Sequence, residues 1–124
     1  MPRLLAVVML ANAALFAFGA LQHSGVAIGP LREPTIIPAA IVETLCALAL
    51  MWGAGAVLRG SPRARSAALT GNLAAIMGVA IGMTALALSA GPRTASNDIY
   101  HVVMMLLAAA SLGILVIRGN AARP

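Results

Sequence analysis

Four long apolar segments divide the chain, separated by short stretches rich in Gly, Pro and polar residues. They run from Leu4 to Leu21, Ile36 to Leu58, Ser66 to Ala90 and Asn97 to Ile117. Each is close to the roughly 20 residues that a helix needs to cross a bilayer core. Unpaired backbone groups are costly in lipid, so each segment must be helical. The breakers lie in "HSGVAIGPLREP", "RGSPRAR" and "GPRTAS", where Gly and Pro end one helix before the next begins. The first connection is the longest and is expected to fold over the bundle. The pattern predicts an all-α fold: an integral membrane four-helix bundle, with residues 1–124 as a single transmembrane domain.

The start, "MPRLLAVVMLANAALFAFGA", imitates a secretory signal, with a basic residue, an apolar run and small residues after it. The run is long for such a signal and three more spans follow, so an uncleaved first helix is expected.

Composition supports the membrane. Hydrophobic residues make up 61% of the 124 and charged residues only 9%, against about 25% charged in a soluble domain. The eight basic residues are all Arg and the net charge is +5. They sit at segment ends, not on a basic face interleaved with aromatics, which argues against nucleic acid. Arg3, Arg59, Arg63, Arg65, Arg118 and Arg123 fall on one side, Arg32 and Arg93 on the other. Basic residues stay in the cytoplasm, so both termini are expected there, in a bacterial inner membrane.

The polar residues inside the spans carry the chemistry. All three acids and both histidines fall at the end opposite most arginines: Glu33, Glu43, Asp98, His23 and His101. Glu43 lies about 10 Å into its helix and His101 about 6 Å into its own, at 1.5 Å per residue. A carboxylate there costs about 2.5 to 3.5 kcal/mol on insertion scales, so it must face inward and find a partner. His101, His23 and Arg32 are available. The sharpest expectation is a Glu43–His101 pair lining a polar pocket, with His23, Glu33 and Asp98 at its rim. Thr44, Thr84, Met104 and Met105 lie at similar depth. The plainer alternative is a structural Glu–His bond between helices, worth about 0.6 to 2 kcal/mol. A metal held by Glu43, His23 and His101, with Asp98 behind His101, lacks any HxxxH or ExxH spacing, so none is assigned.

Other polar residues have structural roles to fill first. Ser96, Asn97 and Asp98 are candidate caps of the fourth helix. Tyr100 reads as an interfacial anchor, Trp52 as a belt or packing residue. Asn12, Asn72 and Ser111 read as interhelical hydrogen-bonding residues. The lone Cys46 excludes an internal disulfide and reads as a small buried hydrophobe. Ala74, Gly78 and Gly82, at four-residue steps, suit close packing against another span, a second copy or a larger membrane complex. There is no phosphate loop, nucleophile elbow, CxxC or HExxH.

Two stretches, "FAFGALQH" and "IVETLCALALMWGA", resemble the DoxX-like family of small four-helix bacterial membrane proteins. The resemblance implies a four-span layout, Glu43 in the place of that family's second-helix Glu, and thiosulfate- or quinone-linked redox chemistry. The stretch "NDIYHVVMM" does not map onto it. Three functions stay open. One is a pocket that binds a quinone-like or other small amphipathic ligand, with no cofactor identifiable and no reaction assigned. Another is an accessory subunit without chemistry of its own. The third is proton-coupled efflux, which is disfavoured because small four-helix exporters carry their acid in the first helix.

Overall fold

The computed structural model describes residues 2–28, 33–89 and 91–121, the side chains of 118–121 excepted. Arg32, Arg123 and the Arg118 side chain therefore lie outside the description. Four helices account for most of it: α1 Pro2–His23, α2 Ile37–Leu58, α3 Ala64–Ala87 and α4 Ala95–Ala121. Among the described residues there is no β-strand. All four helices are long and apolar enough to cross a membrane. The shortest, with 22 residues, span about 33 Å, against roughly 30 Å of hydrocarbon. Helix ends lie within four residues of the apolar segments, α4 running furthest beyond.

Each helix packs on the next and α4 closes against α1, so the bundle is a ring. The α1–α2 and α2–α3 seams are the most extensive and α4 is held more loosely. The helices are apolar nearly all round, as buried or lipid-facing helices are. Seven polar positions of the helices turn inward: Asn12, His23, Glu43, Asn72, Asn97, His101 and Ser111 are all buried. Leu4, Val7, Leu10, Ile41, Leu45, Leu48 and Trp52 point outward. This inverts the pattern of a soluble bundle, and it sets Trp52 on the outer surface.

The small residues of α3 are used inside the chain. A Cβ added at Gly78 would collide with the Cys46 sulfur, and one at Gly82 would stand 3.3 Å from His101 Nε2. Cys46 Sγ–H donates to the Ala74 carbonyl at 3.4 Å. The stripe thus meets α2 at Gly78 and α4 at Gly82. Of the three residues expected to bond between helices, Asn12 does, its Nδ2 donating to Met104 O at 3.2 Å. Asn72 instead donates to Ala68 O of its own helix at 2.8 Å, and the Ser111 hydroxyl has no partner among the described residues.

The long first connection is tied at both sides. Gly25, at φ +92°, turns the chain out of α1, a left-handed conformation that glycine adopts without steric cost. Ile36 N–H then returns to His23 O at 2.9 Å. Farther along, the Glu33 carboxylate accepts bonds from the Thr94 and Ser96 hydroxyls at the start of α4. The described parts of the connection, residues 24–28 and 33–36, therefore lie at the end of the bundle where the acids gather.

Candidate functional site

At that end α2 carries Glu43 into the bundle interior, with its side chain 6% exposed. One carboxyl oxygen, Oε2, has no hydrogen-bond partner among the described residues. The histidine beside it is His23, whose Nε2 stands 3.8 Å from Oε1, and not His101 as the sequence suggested. No hydrogen bond or ion pair joins Glu43 to His101 among the described residues. The reason lies in helix rotation: the last turn of α1 aims His23 at α2, while His101 turns toward α3 and Gly82.

Both imidazoles are held from behind. His23 Nδ1 meets Pro34 O at 3.2 Å, and His101 Nδ1 meets Asn97 O at 2.8 Å. A carbonyl can only accept, so in each ring Nδ1 carries the proton and Nε2 is the nitrogen left for the site.

Tyr100 is no surface anchor. It is half-buried, donates its hydroxyl proton to Leu15 O at 2.8 Å, and stacks edge-on to His101 with centroids 5.3 Å apart. Glu43 lies beside the same hydroxyl. Gly19 makes this meeting of α1, α2 and α4 possible. A Cβ there would lie 2.7 Å from Glu43 Oε1 and closer still to the Tyr100 hydroxyl. Sequence reasoning passed over Gly19; its place one turn before His23 was the available signal.

A cavity of about 300 Å³ opens between α2, α3 and α4. His23, Glu43, Asn97 and His101 form its polar wall, and Val42, Ile81 and Leu86 are among its apolar lining. Ile81 is also exposed on the outer face of α3, so the cavity reaches the lateral surface. A second cavity of about 170 Å³, bounded by Gly19, His23, Glu33 and Tyr100, lies on the α1 side.

The remaining predicted members sit elsewhere. Glu33 borders the second cavity but is engaged by Thr94 and Ser96, which makes it a tether for the loop. Asp98 pairs with Arg93 at 2.8 Å on the exposed rim. The cap of α4 is Thr94, whose Oγ1 accepts the Asn97 N–H at 3.1 Å, in place of Ser96, Asn97 or Asp98. Thr44 and Thr84 are exposed, and Thr44 donates to Ala40 O of its own helix. Met104 is buried in the core and Met105 packs against it. Among the described residues, no three His, Cys, Asp or Glu side chains stand close enough to hold a metal ion.

Compared with known proteins, the chain matches no family model, no curated sequence and no solved structure.

Proposed function

We propose that this is a multi-pass protein of the bacterial inner membrane that binds a small amphipathic molecule, quinone-like in size and polarity, in a redox-linked role. Both termini lie in the cytoplasm and the site opens toward the opposite face. The ligand's polar head sits against Glu43, His23 and His101, and its apolar part leaves past Ile81. One observation carries this reading: a buried carboxyl with an unpartnered oxygen on the wall of a 300 Å³ cavity. A group so placed is expensive unless something meets it, and polar groups converging in an apolar cavity are the usual mark of a ligand site. Asn12, Asn72 and Ser111 also keep unpartnered atoms, so what sets Glu43 apart from a purely structural or accessory group is its place on the wall of this cavity. Kinship with DoxX-like proteins belongs to the same proposal. Gly19 and His23 of one resembling stretch meet Glu43 of the other at the site.

The test is binding of hexyl-1,4-benzoquinone and of its hydroquinone to the purified protein in nanodiscs. The unaltered chain should bind at least one form. Glu43→Gln should weaken that binding tenfold or more while the unfolding midpoint holds. Equal binding by Glu43→Gln would remove the carboxyl from the site. A reporter fused after Arg123 that works only outside the cell would reverse the orientation.

A further inference from the structure

The direction of the hydrogen bonds around the cavity restricts what it can receive. Resting on the binding reading above, we propose that the site selects a hydrogen-bond donor, specifically a neutral hydroxyl-bearing head, over a carbonyl-bearing head of the same skeleton.

Apart from the Asn97 amide, each polar side chain facing the cavity has its proton committed elsewhere or has none. His23 gives its Nδ1–H to Pro34 O and His101 gives its own to Asn97 O, so each ring, when neutral, offers an Nε2 lone pair. Neither Nε2 donates or accepts a hydrogen bond among the described residues, and both rings line the cavity. Tyr100, behind Glu43, has spent its one proton on Leu15 O. An ionised Glu43 only accepts, and a protonated one can give its proton to the Tyr100 oxygen beside it. The Asn97 amide, also on the wall, can serve either way. The balance is two imidazole acceptors and a carboxyl against a single amide donor.

A hydroxyl head satisfies these acceptors. A carbonyl head faces lone pair to lone pair and leaves both Nε2 atoms unpaired in a buried place. Sites built to hydrogen-bond a ligand's O–H discriminate strongly against the analogue that lacks it. A metal ion is a poor alternative, since among the described residues no three such groups cluster tightly enough to hold one. The cavity's size, at the small end of ligand sites, suits one ring or a short polar head with its tail outside.

The experiment uses full-length protein in nanodiscs under anaerobic conditions, with four matched probes: hexylhydroquinone, its dimethyl ether, hexyl-1,4-benzoquinone and hexylamine. Equilibrium dialysis should give hexylhydroquinone at least tenfold tighter than the quinone, and the dimethyl ether no better than the quinone. His101→Phe should shrink the preference to about twofold. If that variant does not fold, His101→Gln, which sets an amide donor at the same place, should shift the preference toward the quinone. Quinone binding equal to or tighter than hydroquinone in the unaltered protein overturns the donor rule. Hexylamine binding tightest overturns the neutral-hydroxyl form in favour of a cation. No binding by any probe overturns the amphipathic-ligand reading itself, a result distinct from loss of preference alone.

Discussion

The two halves of the bundle are made from the same four helices and present the same apolar exterior, yet their interiors differ. Toward the arginine-rich end, Leu5, Met9, Leu50, Ala54 and Ala68 fill most of the interior, with Asn72 and Ser111 also buried there, and a cavity of about 650 Å³ opens beside Pro2, Leu5, Val57 and Arg65. Toward the acid-rich end the inward positions become His23, Glu43, Asn97 and His101, and cavities of about 300 and 170 Å³ open between the helices. Phe16, Cys46 and Met104, all in the buried core, lie between these halves in the run of their helices. In a membrane, whose lipid tails are as apolar as the core, the first half would be held by contact density and not by water exclusion. The second half gives up some of that contact to keep polar groups together. The molecule thus has a mainly apolar interior at one end and titratable groups gathered on cavity walls at the other.

The strongest way to break this contrast is to exchange its members. Glu43 and Leu50 lie seven residues apart on the same buried face of α2. Leu50→Glu puts a carboxyl into close-packed core with no partner, and should cost about 3 kcal/mol or prevent insertion. Glu43→Leu removes a buried oxygen that nothing satisfies, and should be neutral or stabilising by about 1 to 3 kcal/mol while abolishing probe binding. Unfolding in mixed detergent, followed by circular dichroism, measures both. Equal losses from the two substitutions would show that the halves do not differ.

Gly19→Ala comes next. The added methyl must displace Tyr100 or Glu43, and overpacking of this kind costs about 1 to 3 kcal/mol. Gly19→Ala should weaken both stability and hydroquinone binding. Tyr100→Phe in that background should recover part of the loss, because the hydroxyl is the atom in the way. No recovery would mean that Glu43 Oε1, at 2.7 Å, and the Tyr100 ring carbon, at 2.8 Å, set the spacing in place of the hydroxyl.

The smaller size of the next effect follows from how the site is supported. Thr94 caps α4 through the Asn97 N–H and also bonds Glu33. Losing a cap costs about 1 kcal/mol, so Thr94→Val should destabilise by that amount. Because Asn97 O holds His101 Nδ1, the His101 ring resonances should shift by NMR as well. Thr94→Ser should restore both. A stability loss with unmoved His101 resonances would separate the cap from the site.

How far these arrangements can be read from residue order depends on the kind of signal. Helix limits are legible because long apolar runs and Gly- or Pro-bearing breaks are local features. That Glu43 faces inward is legible because a carboxyl has nowhere else to go in lipid. Its neighbour is not, because choosing between His23 and His101 needs the rotation of α1 and α4. Helices apolar all round carry almost no periodic mark of their inner face. The same gap hid Gly19 against Tyr100, and it let Thr44 and Thr84 look like site members when both point outward. Thr94 was passed over as a cap because α4 begins two residues before the apolar run.

The weakest effect belongs to the other acid at this end. Asp98 shares its half of the molecule with Glu43 but meets the opposite environment. Its carboxylate takes two contacts from Arg93 Nε, at 2.8 and 3.1 Å, where the Arg93 side chain is 58% exposed. Exposed pairs of this kind contribute about 0.5 kcal/mol and are screened by salt. An acid in the first turn of α4 adds a favourable dipole contact of similar size. Asp98→Asn should therefore lower stability by about 0.5 kcal/mol at low salt, less at high salt, and leave hydroquinone binding within twofold. A tenfold loss of binding would move Asp98 from the rim into the site. Two carboxylates at one end of one bundle would then differ in exposure but not in role.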